Sequence, residues 1–531
     1  MGTTTKPSLT ISAAKWSSVD LPTRGYYLDS CRNNLRRVAS FWVEKEAELR
    51  GHLPNSAEGA ESWLMGPLPL ARSLRYLAHG VASGGRPKVP SHRLRIDGRT
   101  VSRVFPHGVH EGLLYRDIEA HVWSIGAELQ GYRYRRARDQ SPGPALVLAA
   151  SNMSSMAPTD ILAKLFCENR PVVCKLPNRL APLEPILKEI FHPLIRDRHV
   201  QIVSGGPELG QELLRDETFQ RVHFTGRLEN YKAVLSESSL EEKKFTAELG
   251  CVTPVIIIPG PWTQDELQYQ ARHLASLMVF NGGYTCMTPQ ILVVSKHWSY
   301  KKAFLSALKA ELKKLARRDD RLDGSEERRR SFRADYPEAE CFGLRTLVEL
   351  DATKTTRLFR EEAFCGMLGW VEMEPHHPED FMRAAAKFCN DCLWGDLSCM
   401  VIVDSNTRRV YERAIAQMQA GLEYGTVALN IYPGLAFCSC VTPWGSYQGG
   451  RSDTGTGWVH NHFFFDSPEK TVIEGPFIPH TPQAWIKPFP NLHRVGPAIF
   501  DLDMDPNSFA FARFLKAYAA SVWKKIRGKN Q

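Results

Sequence analysis

Apolar residues recur along this chain with two different periods, and the change from one to the other divides it. Between Tyr27 and Leu49 they fall at helical spacing with a polar face between them, and residues 1 to about 128 read as helical with few strands. From Pro144 the texture becomes short apolar runs separated by amphipathic stretches. ALVLAA (145–150), PVVCK (171–175) and VQIVS (200–204) predict strands, with helices over Thr159–Cys167 and around Leu183–Ile195. A second such region runs from about Val255 to Gly445, with strands VIII (255–258), ILVVS (291–295) and CMVIVD (399–404). Buried strands alternating with helices predict parallel α/β sheets covered on both faces.

Charge and composition narrow the class. With 531 residues, 43% apolar and 24% charged, the chain can bury the cores of two or three domains. Its 67 Lys+Arg against 58 Asp+Glu leave +9 without a clustered stripe, which argues against a nucleic-acid partner. No apolar run approaches the roughly 20 residues of a membrane span. MGTTTKPSLT at the start lacks a signal-peptide core, and a cytoplasmic location is expected. Twelve irregularly spaced cysteines suit a reducing compartment. Cys389, Cys392, Cys438 and Cys440 lack the companion spacing of a zinc site, so buried thiols and no metal are expected. The stretch RRDDRLDGSEERRRSF (317–332) reads as a solvated surface insertion, and Pro506–Gln531 as an amphipathic helix packed on the parent domain.

Two positions stand out chemically. In FNGGYTCMTPQILVV (280–294) a glycine pair precedes Cys286 and a buried strand follows, an arrangement that presents a thiol at a crevice. A thiol is the strongest side-chain nucleophile toward a carbonyl carbon, yet only about 3% of it is ionised at pH 7 when unperturbed. It therefore needs a base. Upstream, KKFTAELGCVTPVIII (243–258) sets Glu248 at the end of a strand-like run, among apolar neighbours that would raise its pKa toward that of a general base.

Taken in order, SNMSSMAPTD (151–160), VVCK (172–175), VQIVSGGPELG (200–210), HFTGR (223–227), ELG (248–250), NGGYTC (281–286), EEAFCG (361–366), YGTVALN (424–430) and TPWGSY (442–447) resemble the aldehyde dehydrogenase superfamily over residues 140 to 475. The resemblance implies an α/β fold of two doubly wound parallel-sheet domains, one for cofactor and one for catalysis, with a small β element for oligomerisation. The corresponding division is 1–128 and 144–250 for the cofactor part, 251–450 for the catalytic domain, 129–143 with 451–480 for the bridging element, and 481–531 as an extension. The alternating segment QGYRYRRARD (130–139) would be the exposed arm, and a homodimer or homotetramer is expected.

By the same resemblance Cys286 is the nucleophile, Glu248 the base and Asn152 the amide that holds the developing oxyanion. NAD or NADP would lie against Lys175, Asn178, Gly206, Gly210, Thr225, Gly226 and Arg227, with Glu362 and Phe364 at the nicotinamide end. The chain departs from the family pattern at Ser204, Arg227, Cys251, Tyr284, Asn178 and Cys365-Gly366, and the interval from Glu248 to Cys286 is a few residues longer than usual. Asn178 in place of a frequent glutamate removes a repulsion toward a 2′-phosphate, so cofactor choice is expected to be relaxed or to lean to NADP. Oxidation of an aldehyde to an acid is the implied reaction. Acyl-CoA reduction on the same thioester and a catalytically silent scaffold are the alternatives.

Overall fold

The alternation that begins at Pro144 resolves into two sheets. The computed structural model describes residues 8–11, 16–94, 98–125, 143–236, 244–316, 318–448, 453–480, 483–487, 489 and 491–527. In chain order the strands are β1 (Ser91–Leu94), β2 (Arg99–Phe105), β3 (Glu119–Ile125), β4 (Ala145–Leu148), β5 (Val172–Leu176), β6 (Val200–Ser204), β7 (Arg221–Thr225) and β8 (Lys244–Glu248). They continue with β9 (Pro254–Ile257), β10 (Ile291–Ser295), β11 (Glu340–Phe342), β12 (Arg345–Leu350), β13 (Met367–Met373), β14 (Ser398–Ile402), β15 (Thr426–Leu429), β16 (Gly455–Thr456) and β17 (Pro468–Glu474).

The smaller sheet has the order β16-β8-β7-β4-β5-β6, parallel except for β16. From β4 the chain winds outward through β5 and β6, then returns to the other side through β7 and β8. That reversal beside β4 opens a crevice at the carboxyl ends of the strands, where α/β sheets bind ligands. The larger sheet has the order β1-β2-β3-β17-β15-β14-β9-β10-β13-β12-β11. Seven of these strands, β17 to β12, run parallel, and β1–β3 and β11 close the two sides antiparallel. The link between β8 and β9 joins the sheets, so Glu248 stands at their junction.

Three sequence expectations change here. The N-terminal part carries three strands, and they join the larger sheet through β17 instead of the cofactor-side sheet. Thr100, Ser102 and Ser124 within them are polar yet buried, a weaker signal than a continuous apolar run. The same pairing makes β17, expected in a bridging element, an inner strand of the larger sheet. The 317–332 stretch is surface-exposed for the most part, as Asp319, Arg321, Asp323, Glu326, Glu327 and Arg330 show, but Arg318, Asp320, Arg329 and Phe332 are buried, and a helix spans Ser325–Asp335. Arg318 and Asp320 stay inside because opposite charges from distant segments meet them. The predicted arm at 129–142 lies outside the described residues.

The first helix, Leu21–Arg50, starts where Asp20 accepts a hydrogen bond from the Thr23 amide at 2.9 Å and stops at Gly51, φ 83°. It packs on the helix Pro67–Ala82, against which the C-terminal helix Leu492–Met504 also lies. Among the described residues no helix is long and apolar enough to cross a membrane.

Candidate active site

The loop that carries Cys286 begins where a well-capped helix is forced to end. Thr263 and Glu266 exchange hydrogen bonds at the start of the helix Gln264–Val279. Past Phe280 the backbone turns left-handed at Asn281 (φ 49°), Gly282 (φ 67°) and Gly283 (φ 82°). A Cβ on Gly283 would stand 2.7 Å from the Met278 carbonyl, so only glycine fits the turn. The strained loop is pinned from several sides. The Asn281 side chain donates to the Asn152 carbonyl at 2.9 Å, and the Asn152 amide donates to the Tyr284 carbonyl at 3.0 Å. Glu61 accepts the Asn281 backbone N–H at 3.2 Å, and Arg329 donates to the Tyr284 hydroxyl at 3.1 Å. Cys286 thereby reaches the wall of a cavity of about 460 Å³ while only 9% exposed.

Glu248 faces it from the end of β8. The Cys286 thiol donates to Glu248 Oε1 at 3.5 Å, and the Trp444 indole N–H donates to the same oxygen at 3.0 Å. Oε2 is buried without a hydrogen-bond partner. Burial pushes the Glu248 carboxyl up to about 7, with the charge of Asp160 adding to the shift and the Trp444 bond opposing it. The Cys286 thiol is pushed well above its ordinary value, first by burial and then by the charges of Glu248 and Glu362. The resting pair is a neutral thiol against a carboxyl poised near neutrality, the arrangement of a nucleophile awaiting general-base help.

The rest of the cavity wall gathers most of the residues singled out in the sequence. Lys175 from β5, Gly210 from the helix Pro207–Arg215, Thr225 from β7, then Gly226, Arg227, Glu362 and Phe364 all line it, together with Asn152. Asn178 and Gly206 stand at its edge, next to the lining residues Pro177 and Pro207; Asn178 is exposed, with its Nδ2 3.6 Å from where a Gly206 Cβ would be. Burial lowers the pKa of Lys175 and of Arg227, and the nearby Arg328 adds to the effect at Arg227. Glu362 is raised to about 8, chiefly by burial, and its carboxylate lies over Gly250, where a Cβ would come within 2.7 Å of it. Phe364 holds a left-handed backbone (φ 49°) with its ring 6.2 Å from that of Tyr284.

Three residues of the site were not foreseen. Trp444 sat inside a quoted motif, but its indole bond to the base has no signature in sequence. Asn281 was read only as part of the turn. Glu61 is more than 200 positions from the loop it holds and carried no signal at all.

Residues 128–327 match the aldehyde dehydrogenase family. That stretch is less than half of the chain, and the fold of the chain is the one seen in solved aldehyde dehydrogenases. The curated "Aldehyde dehydrogenase LUC3" of a Fusarium species is 28% identical over 126 residues, 24% of this chain. The matched stretch spans only 25% of that relative's own length. The crystal structure of a γ-glutamyl-γ-aminobutyraldehyde dehydrogenase from Burkholderia cenocepacia overlays with a TM-score of 0.62 at 16% identity, covering 87% of this chain and 85% of that one. Aldehyde dehydrogenase C from Pseudomonas syringae, solved with NAD+ and octanal, gives 0.60 at 15% identity over 88% of this chain and 87% of the other. The two sheets here meet at one crevice, and both Glu248 and Cys286 border it.

Proposed function

We propose that the protein oxidises an aldehyde to a carboxylic acid with NAD or NADP, using Cys286 as nucleophile and Glu248 as base. The observation that carries this reading is the thiol–carboxyl pair at 3.5 Å on the wall of a cavity that also gathers Asn152, Lys175, Thr225 and Glu362. In the first step the Cys286 sulfur bonds to the aldehyde carbon while Glu248 takes the thiol proton. The Asn152 amide, which has a second N–H beyond the one given to Tyr284, donates to the developing oxyanion.

The cavity suits a dinucleotide. Lys175 and Arg227 supply cationic donors, the start of the helix Pro207–Arg215 lies at the wall, and Gly250 leaves room at the Glu362 end. Bound there, the cofactor would accept the hydride and leave a thioester on Cys286. Glu248, with a pKa near neutrality, then activates water to hydrolyse that thioester. This role separates the reading from acyl-CoA reduction, in which no water need be activated.

The test is a pair of variants. Cys286→Ala should abolish dehydrogenation outright. Glu248→Gln should keep a burst of reduced cofactor while steady turnover falls by roughly 10²- to 10⁴-fold. Unchanged turnover in Glu248→Gln would make the carboxyl structural and favour acyl transfer to coenzyme A. The lean toward NADP rests on Asn178, an exposed amide at the cavity's edge that does not repel a 2′-phosphate, with Lys175 and Arg227 as the cations on the wall. A preference for NAD+ above about 100-fold in kcat/KM would refute that lean.

A further inference from the structure

Large apolar side chains are left in solvent where two helices abut. Val109 and Leu113, one turn apart on the helix Val109–Leu114, are 76% and 60% exposed, and Phe509 and Leu515 of the C-terminal helix Ser508–Arg527 are 73% and 46% exposed. The two helices touch: the ring of His110 lies 5.6 Å from that of Phe511, and Leu113 and Leu515 border the same cavity. A lone exposed leucine needs no explanation, but four large apolar residues on adjoining helices form a patch, and such patches mark surfaces that are covered in use.

The C-terminal helix is divided lengthwise. Ala510 and Phe514 are buried and the helix packs on Leu492–Met504, as its amphipathic pattern requires, whereas Phe509, Arg513, Leu515 and Lys516 stay exposed. Its charge is of one sign. From Pro506 to Gln531 the sequence has Arg513, Lys516, Lys524, Lys525, Arg527 and Lys529, with Trp523 among them, and neither Asp nor Glu. Of these, Arg513 is answered by Asp501 at 2.6 Å.

We infer that this patch docks the protein on an anionic lipid surface, with the C-terminal helix lying in the headgroup layer. The inference does not depend on Cys286 or Glu248. Cations interleaved with aromatic and aliphatic residues on one amphipathic helix are the pattern of a helix that lies in a membrane interface. Anionic lipid meets both halves of that pattern, since its headgroups pair with the lysines while Val109, Leu113, Phe509 and Leu515 sink toward the acyl chains. The other occupants each fail on one half. A second copy joined two-fold through this helix would set cations against cations. A nucleic acid would meet the charge and leave the apolar residues in water. Among the described residues no helix is long and apolar enough to cross a membrane, so this one lies on the surface.

The experiment is co-sedimentation of the full-length protein with vesicles of phosphatidylcholine alone and of phosphatidylcholine mixed with phosphatidylserine. The protein should pellet with the mixed vesicles, stay in the supernatant with phosphatidylcholine alone, and be released at about 1 M salt, where screening is complete within ~3 Å. Lys524→Glu with Lys525→Glu should weaken partitioning by at least about 25-fold, at roughly fivefold per cation. Phe509→Ser with Leu515→Ser should weaken it by about tenfold or more. Both of those positions are exposed, so the thermal midpoint and the mass by light scattering should match wild type. Failure to pellet with mixed vesicles, equal binding to phosphatidylcholine alone, or binding that neither double variant changes would overturn the inference. A drop in mass on Phe509→Ser with Leu515→Ser would overturn it too, by showing that a second copy covers the patch.

Discussion

Replacing Glu248 by Gln should make the protein more stable at alkaline pH, and the size of the gain follows from the site. A carboxyl whose pKa is about 4.5 in the unfolded chain and about 7 in the fold binds its proton more tightly when folded. The native state is therefore favoured by this group below pH 4.5, and that advantage is lost as pH rises toward 7. A difference of about 2.5 pH units corresponds to roughly 3 kcal/mol, all of it charged against the folded state above pH 7. Gln keeps the shape and can still accept the Trp444 N–H, but it carries no charge to desolvate. The thermal midpoint of Glu248→Gln should exceed that of wild type by a few degrees at pH 8, and the gap should close toward pH 5. Comparing the two proteins cancels the titration of every other group except its coupling to Glu248, which runs through Asp160, Cys286 and Glu362. A gap independent of pH, or a variant less stable than wild type at pH 8, would show that burial does not hold this carboxyl near neutrality. The general-base argument would then lose its physical ground. The gain at the expense of turnover would be the stability–activity trade expected of a catalytic group held in an unfavourable setting.

Asn152→Ala should lower kcat by about 10²- to 10³-fold, the usual worth of one oxyanion donor, with little change in cofactor binding measured by fluorescence titration. Glu61→Gln should destabilise the fold by roughly 3–5 kcal/mol in chemical denaturation, because Arg50, Arg318 and Lys487 all lean on that one buried carboxylate. Light scattering at micromolar concentration should give the mass of a dimer or tetramer, and a monomer would remove the role expected of the 129–143 arm.

Legibility followed the strength of the local signal. β4, β5, β6, β9, β10 and β14 lie within two residues of where the apolar runs predicted them, because a parallel strand buried on both faces must be continuously apolar. Cys286, Glu248 and Asn152 were visible because each sits in a motif whose glycines or flanking strand constrain it. Strands β2 and β3 were missed because Thr100, Ser102 and Ser124 are polar although buried, which breaks the apolar run that marks a buried strand. Asn178 was assigned to the cofactor by position alone, and its exposed side chain stands at the edge of the cavity.

The charged stretch shows why composition misled where it did. Arg318 and Asp320 were read as surface residues because charge is costly to bury, and that rule holds for charges taken one at a time. Here Arg318 meets Glu61 and Asp320, Arg50 meets the same two carboxylates, His52 lies 2.9 Å from Asp320, and Lys487 closes the set on Glu61. Burial works to raise the Glu61 carboxyl, yet Arg318, Lys487 and Arg50 together hold it at about 2, so it stays ionised at every working pH. An ionised Glu61 is a fixed acceptor for the Asn281 N–H, and Asn281 in turn fixes the carbonyl of Asn152. The network thus draws Arg50 from the first helix, Arg318 and Asp320 from the charged insertion and Lys487 from the C-terminal extension, and one of its bonds ends on the loop that carries Cys286. Replacing these groups with apolar ones could leave the fold as stable, but it would remove a contact that ties these three segments to the Cys286 loop.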